Sequence, residues 1–354
     1  MSLRAVLRSP LGDTVVRDIV DGSWAEPSRD ASVTIGQDQW AIPGLVDAHA
    51  HLAAAELRYG AGDFDGALVR ARDSLSAGVT LVLDKGWTDD VTIRVIDALE
   101  ADQRPDIEAA AKVIAVPEGH FPGFAREIDP ADIGRVAAEE ANAGRGWVKV
   151  IGDWPRRGIG PVANFDENQL RKAVAAAEEG GSRVAIHTMA RQVPSMAVAA
   201  GVHSIEHGLF LTESDLRALG ERGGMWVPTL LRVEATLAQL GEASSGGRLF
   251  VEGLANVKAL LPLAVEAGVS VLAGTDLVGT PANVAAEAIR LGVYGLSNRQ
   301  MVEAVSHAAF VATGRDSQFA PGTPANAVFF DADPVEEPGV LANPAAVIRL
   351  GRRL

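Results

Sequence analysis

The segment AIPGLVDAHAHL, Ala41–Leu52, decides the reading of this chain. Its run of apolar residues after Pro43-Gly44 reads as a buried strand, yet it carries His49 and His51 one residue apart. Side chains alternate faces along a strand, so positions i and i+2 point the same way. Two imidazoles on one side of a buried strand are either costly polarity or half of a metal site.

Outward from this segment, short β-branched runs alternate with longer alanine- and glutamate-rich stretches. The strand candidates are GLVDAHAHL, GVTLVLDKG, IEAAAKVIAV, GWVKVIGDW, SRVAIHTMA, HSIEHGLF, GMWVPTLL and GVSVLAGTDLVG. Between them lie helical patterns at 65–77, 129–143, 166–179 and 212–222. Asp129 followed by proline, with Gly144 at the far end, and Asp166 with Gly180, have the residue types of helix caps. Eight apolar strands alternating with helices predict a parallel (β/α)8 TIM barrel over 44–318, with an open doubly wound sheet as the alternative. The flanks, 1–43 and 319–354, read as short strands (AVLRS, TVVRDIV, ASVTIG, NAVFFDAD, AAVIRLGRRL) and predict a small β-sandwich domain built from both chain ends.

Composition narrows the partners. The 354 residues carry a net charge of −14 spread along the chain, which disfavours nucleic acid and anionic membrane surfaces. With no cysteine, any metal must be held by nitrogen and oxygen. No apolar run approaches a membrane span, and the first residues lack the apolar core of a signal peptide, so a cytoplasmic location is expected. A homo-oligomer is compatible with this architecture. P-loop, dinucleotide-binding and serine-hydrolase motifs are missing.

In a (β/α)8 barrel the C-terminal ends of all strands converge on one face. His49 and His51 end the first strand candidate, Lys149 lies in the fourth, His187 ends the fifth, His207 the sixth and Asp276 the eighth. Four imidazoles, a carboxylate and a lysine then meet around one point. Lys149 sits among apolar neighbours, where an unpaired ammonium is costly; a salt bridge to Asp153 is the alternative. His203 reads as a surface or loop residue, Glu206 as structural and His307 as packing.

In order and spacing, IPGLVDAHAHL, SAGVTLVLDKG, WVKVIGDW, VAIHTMA, AGVHSIEHG, LAGTDLVG and PGTPANAVFFDADP resemble the amidohydrolase superfamily, most closely its imidazolonepropionase and Xaa-Pro dipeptidase-like branch. The resemblance implies two divalent metal ions, zinc by preference, bridged by carboxylated Lys149 and a hydroxide. His49, His51 and Asp276 hold one ion, and His187 and His207 the other. Asp276 moves the proton from the nucleophile to the leaving nitrogen. The substrate is a small molecule with an amide or peptide-like C–N bond, of the dipeptide or N-acyl amino acid class. Mononuclear hydrolysis of a cyclic C–N bond, deamination, and lactone or phosphoester hydrolysis are the alternatives, and a non-enzymatic binding protein ranks last. Deaminases of the superfamily place a glutamate three residues after the fifth-strand histidine, where this chain has Ala190.

His120, in EGH, matches a third-loop pair that touches substrate in that branch, and equally fits a solvated loop histidine. Trp154, Arg156 and Arg157, in GDWPRRGIG, suit a substrate carboxylate or a solvated basic turn. This segment departs from the branch, which has a glycine-rich run there, and Asn326 stands where an aspartate is usual.

Overall fold

A computed structural model describes residues 3–28, 33–54, 61–156 and 158–354. Eight parallel strands follow the expected rhythm: β1 (Leu45–Ala50), β2 (Val79–Asp84), β3 (Asp106–Ala109), β4 (Trp147–Ile151), β5 (Arg183–Thr188), β6 (Ser204–His207), β7 (Met225–Val227) and β8 (Ser270–Val271). Every residue of β1, β2, β4, β6 and β7 is buried. That pattern belongs to strands covered on both faces, and it explains their near-continuous apolar composition.

The expected single closed ladder is not what forms. β1, β2 and β3 make a three-stranded sheet, while β4 to β8 join Ile114–Ala115 and Arg126–Glu127 in a seven-stranded one. Isolated backbone bonds join them: Ala109 N to Arg145 O at 2.9 Å on one side, and Ala48 N to Ala273 O and Asp276 N to His49 O, both 2.8 Å, on the other. The breaks have local causes. IEAAAKVIAV has no β-branched residue at its centre and splits into two short strands. The β1–β2 register shifts between Asp47 and Ala50, an irregularity of the kind that re-aims a side chain, here at His49.

Helices form close to the predicted spans 65–77, 129–143, 166–179 and 212–222. Glu167–Glu179 and Glu213–Glu221 each open on a capping box, from Asp166 and Thr212. Phe64–Ser76 is capped by Asp63, and Ile133–Ala143 follows a single 3-10 turn headed by Asp129 and Pro130. Val46, Ala48, Leu81, Leu83, Trp147, Ala185 and Val227 pack together with Phe310 into one apolar cluster drawn from five of the strands.

Among the described residues the two chain ends form one hydrogen-bonded eight-stranded sheet, in place of the expected sandwich of two sheets. Strands from 3–42 lie in it beside Ala327–Phe330, Ala346–Arg349 and Arg352–Arg353. Its junction is the antiparallel pairing of Trp40–Ile42 with Ala327–Phe330. No helix among the described residues is long and apolar enough to cross a membrane.

Candidate active site

The sequence-predicted ligands gather at the C-terminal ends of the strands. His49 Nε2 and His51 Nε2 each lie 3.5 Å from Asp276 Oδ1, and His207 Nε2 lies 3.8 Å from Asp276 Oδ2. Donor atoms of His49, His51 and Asp276 all fall within 4.8 Å of one another. Asp276 sits in the left-handed region at φ 39°, as does Leu277 at φ 67°. Non-glycine residues adopt that conformation only where their surroundings impose it. The residue before Asp276 is anchored by Asp47, which is fully buried and accepts from Thr275 Oγ1 at 2.6 Å, Thr275 N at 3.1 Å and His49 N at 3.0 Å, while Asp276 N donates to His49 O at 2.8 Å.

The second pair is His187 and His207, whose Nδ1 and Nε2 atoms are 2.9 Å apart. The Thr229 hydroxyl donates to Pro228 O at 2.8 Å, so it receives the proton of His207 Nδ1 at 2.6 Å. That leaves His207 Nε2 as a lone pair aimed at His187. His51 is oriented likewise: its Nδ1 contacts the Gly86 carbonyl at 2.7 Å, which leaves Nε2 bare toward Asp276.

Electrostatics agree with this geometry. Burial lowers the pKa of His49 to about 4 and of His207 to about 3, against the pull of the Asp276 carboxylate, and puts His187 well below its ordinary value. All three are therefore neutral, the form that binds a metal. Lys149 is buried, its Nζ has no hydrogen-bond partner, and burial lowers its pKa to about 8. The alternative bridge to Asp153 does not form: that carboxylate accepts instead from Met189 N and Ala190 N. An orphaned amine, two imidazoles converging on one point and a wholly N/O donor set fit one or two borderline-hard divalent ions.

A cavity of about 970 Å³ opens above these residues. Phe121, Phe124, Trp154, Leu249 and Phe250 make its walls largely apolar, and Arg156 and Arg232 also line it. His120 is not a solvated loop residue. Its ring stacks on Phe124 at 4.5 Å and lies 4.3 Å from Trp154, with His187 6.5 Å away. Burial lowers its pKa to about 3, which keeps it neutral. Arg156 is held by Asn164 Oδ1 at 3.0 Å and Pro117 O at 3.3 Å. Arg157 lies outside the described residues. His203 is remote from the cavity, with Nδ1 accepting from Val184 N at 3.1 Å, and His307 is buried in the helix His307–Ala312.

Sequence reading missed the supporting layer. Glu206 is fully buried, with Oε2 2.6 Å from His49 Nδ1, Oε1 accepting from Ser204 Oγ at 2.6 Å, and Lys85 Nζ 3.4 Å from Oε1. The His49 contact is short, although the ring N–H does not point squarely at the oxygen. Burial pushes the Glu206 carboxyl upward, but Lys85, His49 and Lys149 outweigh it and hold the group well below the usual range. Thr229 and Asp47 were likewise invisible, because their partners are distant in sequence.

Comparison with known proteins bears on this arrangement. Residues 40–353 match the model of the amidohydrolase family. An uncharacterized protein of Mycobacterium tuberculosis is 32% identical over 352 residues, covering 94% of this chain and 90% of that one. Ochratoxinase of Aspergillus niger is 26% identical over 198 residues, covering 52% of this chain and 40% of that one. Among solved structures, a Xaa-Pro dipeptidase with bound methionine in its active site superposes with a TM-score of 0.82 at 20% identity over 100% of both chains. The A. niger ochratoxinase structure superposes with a TM-score of 0.81 at 18% identity, over 99% of this chain and 95% of that one.

Proposed function

The chain belongs to the amidohydrolase family and is a hydrolase of C–N bonds; from that premise we propose that it cleaves the amide or peptide-like bond of a dipeptide or N-acyl amino acid. One observation carries the reading: His49, His51, Lys149, His187, His207 and Asp276, from five segments of the chain, line one cavity. In this reading His49, His51 and Asp276 would hold one divalent ion and His187 and His207 a second, with carboxylated Lys149 as a further ligand. Bound there, divalent ions supply Lewis-acid polarisation of a carbonyl and a water nucleophile at neutral pH.

The chain's own residues do the rest. Asp276 Oδ1 and Oδ2 face three imidazoles at 3.5, 3.5 and 3.8 Å. Asp276 takes a proton from the attacking water and returns it to the departing nitrogen. Neutral His120, wedged between Phe124 and Trp154, offers a hydrogen bond to the substrate. Apolar walls accept a bulky acyl or side-chain group and exclude water, and Arg156 and Arg232 match a substrate carboxylate. The strands of 44–318, read as a barrel domain, carry this site, and the segments 1–43 and 319–354 form the accessory unit.

A mononuclear hydrolase of a cyclic C–N bond is the second reading. It is favoured by the tight grouping of only His49, His51 and Asp276, while His187 and His207 bond to each other. The deciding experiment is metal per chain by elemental analysis, on protein purified without chelator and with bicarbonate, followed by a panel of dipeptides and N-acyl amino acids. Two equivalents with turnover of that panel support the first reading. One equivalent with turnover of cyclic amides only replaces it by the second, and no metal after reconstitution defeats both.

A further inference from the structure

Interiors of parallel barrels are filled by branched apolar side chains, and here the cluster beneath the site follows that rule except at one point. Lys85 and Glu206 meet there, both with 0% exposure, in a contact of 3.4 Å. Lys85 Nζ also lies 4.1 Å from the Trp147 ring centroid, and no hydrogen bond satisfies it. A fully buried pair of this kind is expensive to form and adds little net stability over well-packed apolar residues. Its position suggests another use. Glu206 Oε1 faces Lys85, its Oε2 faces His49 Nδ1 at 2.6 Å, and His49 Nε2 faces Asp276 Oδ1 at 3.5 Å. The four side chains form one line from the apolar interior to the site.

We propose that Glu206, gripped by Lys85, is the positioning residue that holds His49 in the tautomer with its proton on Nδ1 and its Nε2 lone pair toward the metal. The inference rests on the reading that His49 is a metal ligand. Glu206 itself touches neither substrate nor metal. It sets ring orientation and proton placement, and a carboxylate behind a metal-bound imidazole also raises the basicity of the ligating nitrogen. Lys85 is the counter-charge that lets a carboxylate reside there. Ser204 Oγ, donating to Oε1 at 2.6 Å, fixes the carboxylate plane.

The test separates positioning from mere stability. Lys85→Met, Glu206→Gln and the double variant are compared with the parent for metal-free Tm and for Zn2+ affinity by chelator competition. Each single change leaves a buried charge unpaired and lowers Tm. The double variant removes both charges and recovers Tm. Affinity in Glu206→Gln and in the double variant stays about 10- to 100-fold below the parent. A double variant that regains parental affinity together with its Tm overturns the proposal. A second measurement needs no variant of the pair: side-chain 15N–1H correlations of metal-free parent protein, assigned with His49→Ala, read the ring directly. Protonated Nδ1 is expected, and protonated Nε2 with bare Nδ1 overturns the proposal. His49→Ala also isolates the premise. If it retains all the metal, the ligand reading itself fails; if it loses metal while Glu206→Gln does not, only the positioning role fails.

Discussion

Glu287→Gln gives a stability test that does not depend on metal. Glu287 is fully buried, and its two carboxyl oxygens accept from Leu230 N at 2.6 Å and Leu231 N at 3.0 Å. It thereby caps the helix Leu230–Leu240, which opens just after Thr229, the partner of His207. Burial raises its pKa from the ordinary 4.5 to about 8, against the pull of those two N–H donors. A carboxyl raised in this way is held protonated by the fold while the unfolded chain releases the proton more readily. Its contribution is complete below the unfolded pKa and is lost as pH climbs through the folded one. Between 4.5 and about 8 the parent therefore loses stability relative to the glutamine variant. The slope is about 1.4 kcal/mol per pH unit, capped near 5 kcal/mol over the whole window and reduced in practice by relaxation around the site. Glutamine presents an NH2 toward one backbone donor, a pH-independent cost of roughly 1–3 kcal/mol. That cost offsets the curve without changing its slope. Urea unfolding of both proteins at several pH values across the window measures the difference. A flat difference, or one of opposite sign, would refute the reasoning and mean that the helix N-terminus keeps Glu287 ionised.

Four further outcomes are expected. His187→Ala and Asp276→Asn abolish hydrolysis while far-UV circular dichroism and Tm stay near the parent; full activity in either removes that residue from the site. Lys149→Ala loses metal by elemental analysis, and short carboxylic acids restore part of it; unchanged metal content excludes a bridging role. Gly44→Ala places a Cβ 1.7 Å from Thr80 Oγ1 and 2.6 Å from Thr80 Cβ, so the entry of β1 must shift. A loss of at least about 2 kcal/mol in urea unfolding is expected, and a neutral result would show that β2 yields easily. Arg349→Met strips a buried guanidinium from Asp106 Oδ1 at 2.7 Å and Ala101 O at 3.0 Å. Since Asp106 is part-exposed, the cost is near 2 kcal/mol rather than that of a wholly buried pair, and an unchanged Tm would count against it.

What the sequence made legible is what local physics determines. Helices at Asp166 and Thr212 begin where a capping side chain and its N3 partner stand in the chain, a three-residue matter. Strand identity followed from apolar β-branched runs. Strand length did not, because it depends on partners. The segment ending in Thr275 and Asp276 looks as apolar as any strand, but it leaves the ladder after Val271 to carry Asp276 into a left-handed turn. Asp47, 228 residues before Thr275, anchors that residue, and no window along the chain can see it.

The site shows the same division, most plainly at Glu206. On a regular strand Glu206 and His207 face opposite sides, and the sequence reading gives Glu206 a structural role only. The backbone departs from that alternation: His207 sits at φ 63°, and Trp226 Nε1 donates to its carbonyl at 2.9 Å. One left-handed residue lets both side chains reach the interior, Glu206 toward His49 and His207 toward His187. A signal for Glu206 was nevertheless present. The argument that singled out Lys149, an ammonium among apolar neighbours, applies with equal force to Lys85 at the end of VTLVLD. A second buried lysine requires a buried acid. Ser204 and Glu206, two apart on one strand, share a face and bond to each other there. Followed through, that demand for charge pairing leads from the Lys85 position to Glu206, and from Glu206 to the histidine with which the chain was first read.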